Sequence, residues 1–229
     1  MSDAIYGIGA YSLTEAGRLL GVSPSTLRHW LFGYRYHHHG PVTEQQPLWA
    51  SQYGVDQDEP LLGFRDLIEA RIVRGLRSGG IGLQTIRECL LRASELVGDD
   101  HPFSTRLFKT DGRRIFLDEM AGLGGGYLLD LKERQYVFRV VVEPSLTNLD
   151  FDSDSASRWW LLKRTIVLDP ARSFGQPIVA ESGVSTARLA QAVEAEGSVA
   201  RTAQIFEIKP ALVRDAIAFE RQRINKLAA

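Results

Sequence analysis

The stretch from Tyr11 to Tyr34 constrains this chain more than any other, because its spacing permits two short helices and one tight turn between them. Leu13, Ala16, Gly17 and Leu20 recur at helical intervals, and Gly21 stands where a left-handed residue ends a helix. Ser23-Pro24 restarts the chain, serine as N-cap and proline at the first helical position, and Leu27, Trp30 and Leu31 form the apolar stripe of a second helix. A helix-turn-helix needs a small residue at the helix crossing, a glycine in the turn and apolar anchors on the second helix, and Gly17, Gly21, Leu27 and Trp30 supply them. Ser23, Ser25, Thr26, Arg28 and His29 then stand at the start of the second helix, from which side chains reach a major groove, and an arginine at position 28 can bond guanine bidentately. Arg18, Arg35 and Tyr36 are placed for phosphates. A plain αα-hairpin inside a larger core is the competing reading, but cap, turn and anchors agree on the DNA-reading arrangement.

Bulk charge does not carry that reading. A net charge of -1 excludes a protein that coats nucleic acid electrostatically, so distribution decides. Residues 1–40 hold three arginines against Asp3 and Glu15, residues 41–100 ten acids against six bases, and residues 171–229 eight bases against six acids. Both ends are mildly basic, which suits DNA contact there. With 44% hydrophobic residues over 229 positions the chain can bury a core. Its one cysteine, Cys89, cannot close an internal disulfide and fits a reducing compartment, so a cytoplasmic protein is expected. No apolar run nears the roughly 20 residues that cross a bilayer, and the start lacks a basic signal-peptide region. No membrane partner is expected.

Beyond residue 35 periodicity fails until Phe64, where Leu67, Ile68, Ile72 and Leu76 mark a helix to Ser78 whose arginines 65, 71, 74 and 77 mostly face outward. Gly79-Gly80 stops it, and Leu83–Val97 is a second amphipathic helix, paired with the first as a hairpin. Arg114–Leu117, Tyr127–Asp130 and Tyr136–Val142 alternate or are β-branched, which predicts a small antiparallel meander, and 146–157 reads as an exposed linker. Short strands at Thr165–Leu168 and Pro177–Ala180 precede helices at Ser185–Ala195, Ser198–Phe206 and from Pro210 to about Leu227. The predicted fold is mainly α with a small antiparallel β meander. A winged helix-turn-helix with its helical hairpin occupies 1–100, a β region and linker 101–157, and a helical, helix-turn-helix-like domain 158–229.

The chain also echoes itself. Gly17 to Arg28 aligns with Ala203 to Arg214, so that Leu20 meets Phe206, Val22 meets Ile208, Pro24 meets Pro210 and Leu27 meets Val213. Glu207 replaces the turn glycine, and since glutamate adopts positive φ only at a cost, the second turn is expected to be built differently. Its three helices serve a partner protein as readily as DNA.

Tyr11 to Leu31, followed by Leu62-Gly-Phe-Arg-Asp-Leu67, resembles the N-terminal helix-turn-helix of the MerR-like superfamily, a resemblance that implies a wing within 35–60. Asp169-Pro-Ala-Arg-Ser-Phe-Gly-Gln-Pro-Ile-Val179, Gly183 to Leu189 and Glu196 to Glu220 resemble the DUF433 domain of VapB-type antitoxins. Together they imply a DNA-binding antitoxin without enzymatic activity or cofactor, which represses its own operon by binding operator DNA and masks a PIN-domain ribonuclease toxin. A homodimer would match a palindromic operator. The basic end of the last helix, Arg221, Arg223 and Lys226, is a candidate contact to the toxin's acidic metal pocket, although a solvated helix face explains it more simply. Two alternatives stay open: a MerR-like regulator answering a small ligand, and a nuclease-inhibiting interaction protein without specific DNA binding.

Other features carry less. His37-His-His39 is consecutive, which one ion cannot use without an unusual backbone, and a phosphate contact is favoured. Cys89 alone supplies too few soft ligands for metal sensing and is expected inside a helix core. Gly122 to Gly126 lacks the Gly-Lys-Ser/Thr of a phosphate cradle, and Asp150, Asp152 and Asp154 lack the glycine and distal glutamate of a calcium loop. No catalytic set and no metal site is expected.

Overall fold

The computed structural model describes residues 7–37, 42–54, 59–112, 136, 138–162 and 164–225. Within them the chain is mainly helical with small antiparallel sheets, and it divides into two units, one formed by Ser12–Thr147 with Phe151–Ala156, the other by Met1–Tyr11, Asn148–Asp150 and Ser157–Ala229.

The first unit begins at Ser12, the second residue of β1 (Tyr11–Ser12), which leads into α1 (Leu13–Leu20). Ser12 and Glu15 close a capping box: the Glu15 N–H donates to Ser12 Oγ at 3.2 Å and the Ser12 N–H to Glu15 Oε2 at 2.9 Å. Gly21 ends the helix at φ 66°, and α2 (Pro24–Phe32) starts on Ser23, whose Oγ accepts from the Thr26 N–H at 3.1 Å. Ala16, Leu20, Leu27, Trp30 and Leu31 are buried. After Gly33 the chain forms the antiparallel pair β2 (Tyr34–His37) and β3 (Val42–Gln45), Arg35 opposite Glu44. Gly33 has φ 69°, and a Cβ there would lie 2.2 Å from the Gln45 carbonyl, so only glycine lets the returning strand pass.

The short strand β4 (Leu61–Leu62) leads into α3 (Phe64–Ser78), and α4 (Leu83–Val97) packs against α3. Both helices have the bounds expected from their periodicity, and Cys89 is buried on α4 as expected. The core holds Phe64, Leu67, Ile68, Ile72 and Leu76. Polar groups are buried with it. The Asp66 carboxylate accepts from Trp49 Nε1 and the Gly63 N–H, each at 2.9 Å, and lies 2.8 Å from His101 Nε2. Glu69 accepts from the Ser104 N–H at 2.9 Å through Oε1, while Oε2 has no hydrogen-bond partner among the described residues. Burial raises the Glu69 carboxyl well above the usual carboxylate range, against the opposing Ser104 bond.

The middle of the chain departs from expectation. Of the predicted meander, residues 113–135 lie outside the described residues. Within Tyr136–Val142, expected as a strand, the described residues are helical: a π-turn over Phe138–Val142 runs into α6 (Glu143–Leu146), with α5 covering 106–112. Phe138 and Val142, one turn apart, are both buried and this segment packs on α3, so tertiary packing overrides β propensity. The expected linker is instead strand: β5 (Leu149–Asp152) and β6 (Ser155–Leu162) are separated by a two-residue turn with Ser153 at φ 45°. Of the acids read as solvated, Asp152 and Asp154 are exposed, while Asp150 accepts from Trp160 Nε1 at 2.8 Å.

The second unit joins these strands to β7 (Ile166–Leu168) and β8 (Ile178–Val179) in the sheet order β5-β6-β7-β8, with Trp159 opposite Leu168 and Ile166 opposite Val179. Three helices follow, α7 (Thr186–Glu196), α8 (Val199–Ile205) and α9 (Pro210–Asn225), the first two capped by Ser185 and Ser198. Ile166, Val179, Leu189, Leu212 and Ala216 form the core, with Phe206 and Ile208 against it. The expected difference in the second turn is absent. Glu207 takes φ 54°, and the Ile208 N–H donates to the Ala203 carbonyl at 3.0 Å as the Val22 N–H does to Gly17 at 3.2 Å. The hydrogen bonding of the turn, not a glycine, holds the backbone there.

Candidate nucleic-acid interface

Ser12, Ser23 and Pro24 begin α1 and α2, Gly21 turns the chain between them, and the buried Leu27–Trp30–Leu31 side of α2 leaves the opposite side to solvent. Ser25, Arg28 and His29 are exposed on that side, with Thr26 partly so. These four residues lie within the first turn and a half of α2, the part of a second helix that enters a major groove. The Ser23 hydroxyl is engaged locally: besides capping Thr26, it lies 3.0 Å from Ser25 Oγ and 2.8 Å from Thr26 Oγ1. It orients the start of the helix.

The hairpin continues this surface. The His29 ring lies 4.7 Å from Tyr34 and Tyr34 5.8 Å from Tyr36, centroid to centroid, an aromatic ladder from α2 onto β2. Each tyrosine is 37% exposed. Arg35 reaches across to Glu44 at 3.4 Å, and with side chains 73% and 54% exposed this pair is weak enough for a phosphate to compete for the guanidinium. Arg18 is exposed in the last turn of α1. The backbone of His37 belongs to β2, whereas His38 and His39 lie outside the described residues, as does any phosphate contact assigned to them.

Of the four outward arginines expected on α3, one joins the neighbourhood of the turn. Arg74 is exposed, and its Nη2 lies 3.6 Å from where a Cβ on Gly21 would stand. Arg65 turns to Asp99 at 2.7 Å and Ser104 at 2.8 Å, and Arg77 to the Ile81 carbonyl. Burial, then the charge of Arg74, lowers the Arg71 guanidinium to about 10, which leaves it cationic at neutral pH. Periodicity placed Arg74 outward, but its place beside Gly21 depends on the packing of α3 against α1, for which no local signal exists.

The second unit offers a weaker charge surface at the equivalent place. Ala211, Arg214 and Asp215 stand where the first motif has Ser25, Arg28 and His29, and Lys209 is paired with Glu181 at 3.1 Å. Of the candidate toxin contacts, Arg221 is exposed on α9, while the Arg223 side chain and Lys226 lie outside the described residues. Among the described residues there is no cluster of three metal-ligating side chains and no helix long and apolar enough to cross a membrane.

Residues 9–90 match a family model described as "Putative DNA-binding HTH domain". The chain is 30% identical over 195 residues to the "Putative antitoxin VapB45" of Mycobacterium tuberculosis, covering 80% of this chain and 81% of that protein. Its fold is that of the crystal structure of Rv2018 from Mycobacterium tuberculosis, with a TM-score of 0.72, 24% identity, and coverage of 93% of this chain and 99% of the other.

Proposed function

This chain belongs to the family of the mycobacterial antitoxin VapB45, and on that premise we propose that it is a non-enzymatic, DNA-binding antitoxin that represses its own operon and neutralises a PIN-domain ribonuclease. The observation that carries the DNA half is the exposed set Ser25, Thr26, Arg28 and His29 on a helix whose other side is anchored by Leu27, Trp30 and Leu31. In this reading Arg28 reads a base edge, Arg18 and Arg35 meet phosphates, and the β2–β3 hairpin is the wing of a MerR-like motif. A homodimer places two such helices on an inverted repeat.

The toxin half rests on family membership and on the charge of the second unit. Its helix-turn-helix-like outline, read as a DUF433 module, keeps Arg214 at the place of Arg28 but carries Ala211 and Asp215 where the first motif has Ser25 and His29. That pattern favours a protein partner over DNA for this end.

A gel-shift titration of the chain on its own promoter tests the first half. Arg28→Ala should weaken binding by about 1–3 kcal/mol, roughly 5- to 150-fold, and an unchanged affinity refutes α2 as the recognition helix. Co-purification with the product of the adjacent reading frame, followed by a ribonuclease assay of that product, tests the second.

A further inference from the structure

A single residue, Gly33, separates α2 from β2. Its N–H donates to the His29 carbonyl at 3.1 Å, and its φ of 69° turns the chain back. The return is fixed from the other end as well, since the Leu48 N–H, just past β3, donates to the Trp30 carbonyl at 2.8 Å. Both ends of the hairpin are tied to the last turn of α2. Strand alternation puts Tyr34 and Tyr36 on one face of β2, and that face meets the exposed imidazole of His29, the ring centroids of His29 and Tyr34 lying 4.7 Å apart with planes inclined by 36°. Tyr36 backs Tyr34 in turn at 5.8 Å.

An exposed side chain ordinarily loses rotamer freedom when a ligand fixes it, at about two- to tenfold in affinity for each such residue. Stacked on Tyr34, His29 has given up part of that freedom in the free protein. Such fixing matters most for one kind of contact. A phosphate accepts hydrogen bonds from many directions, whereas a base edge presents its acceptors in the plane of the pair and needs a donor aimed into it. His29 stands one turn after Ser25 on the exposed side of α2, and its imidazole carries a ring N–H donor. Purine N7, guanine O6 and thymine O4 are the acceptors that a major groove offers to it.

We infer that His29 is a specificity-determining residue that donates to a base-edge acceptor in the major groove, and that Tyr34 is the positioning residue that holds its ring for that contact. This rests on the reading of α2 as the recognition helix and adds a second base contact beside that of Arg28, one set by the hairpin as well as by the helix.

The test is a gel-shift titration of the full chain on its own promoter fragment and on fragments with each base pair replaced in turn. His29→Ala should abolish discrimination at one base-pair position of the site, worth roughly 5- to 150-fold in the unsubstituted chain, and leave it intact elsewhere. Tyr34→Ala should lower affinity for the native promoter by about two- to tenfold while fragments altered at that position are bound as before, which narrows discrimination there alone. Tyr34→Phe keeps the ring and should keep the discrimination. The double variant His29→Ala/Tyr34→Ala should bind as His29→Ala does, because Tyr34 acts only through the imidazole. An unchanged affinity in Tyr34→Ala, a loss spread equally over all fragments, a loss in Tyr34→Phe, or a double variant weaker than His29→Ala refutes the positioning role. Unaltered discrimination in His29→Ala refutes the base contact, and in each of these cases the recognition helix still stands or falls on Arg28→Ala. An unsubstituted chain with no base preference at any position overturns both readings.

Discussion

The two helix turns place left-handed backbone at the same position, a glycine in one and a glutamate in the other, which makes them a matched pair for a substitution in opposite directions. Gly21 at φ 66° and Glu207 at φ 54° occupy the same place, each followed by an N–H bonded five residues back. A residue with a Cβ in this region pays roughly 1–2 kcal/mol relative to right-handed backbone, while glycine loses roughly 0.5–1 kcal/mol more chain entropy on folding. The difference is about 0.5–1 kcal/mol in favour of glycine at either position. Glu207→Gly should therefore stabilise the second unit by that amount, and Gly21→Ala should destabilise the first by as much, since the new Cβ meets Arg74 only at an ordinary 3.6 Å and adds no clash. Native-state amide exchange is the appropriate assay, because the Val22 and Ile208 N–H groups close the two turns and report each unit separately. Protection of Ile208 should rise, and that of Val22 fall, by about two- to fivefold. A fall at Ile208 in Glu207→Gly, or a rise at Val22 in Gly21→Ala, refutes the claim that left-handed backbone sets the sign.

Gly17→Ala places a Cβ 2.7 Å from the Val22 carbonyl, and the forced shift of the turn should cost on the order of 1–3 kcal/mol, read as a lower urea midpoint with weakened promoter binding. Glu69→Gln tests the buried carboxyl. Because its folded-state pKa is raised, its contribution is full below the ordinary glutamate pKa and is lost as pH rises through the elevated value, so the amide should flatten the decline of the urea midpoint on that side, and an unaltered pH profile would show that the carboxyl is not neutral in the folded state.

What was legible in the sequence is what local chemistry decides. Gly21, Ser23 with Pro24, and the apolar spacing of Phe64–Ser78 and Leu83–Val97 need no distant partner, and those elements lie where expected, while the first helix, expected from Tyr11, begins at Leu13 because the Ser12–Glu15 capping box sets its start. Tyr136–Val142 failed because its β-branched run is decided by burial of Phe138 and Val142 beside α3. Leu146–Ser157 is strand where a linker was expected: Asp152 and Asp154 do face solvent, but the segment pairs as β5 and β6, and Asp150 accepts from Trp160 on the neighbouring strand. In the candidate interface the α2 residues could be read directly. The ladder from His29 to Tyr36 and the position of Arg74 could not, since each depends on how an element folds back.

Hydrogen bonds from Ala10 and Tyr11 to Phe174 and Gly175 join residues before the first helix to a loop 164 positions later. During synthesis, at roughly 5–20 residues per second, Ala10 and Tyr11 therefore wait for about 164 further residues before their partners are made, while the helix-turn-helix between them can close on local contacts alone. The second unit is the last to be completed, and a fragment begun at residue 158 would lack the donors that hold residues 173–175 in shape. An expression design that separates the two ends would remove that loop's support without altering one of its residues.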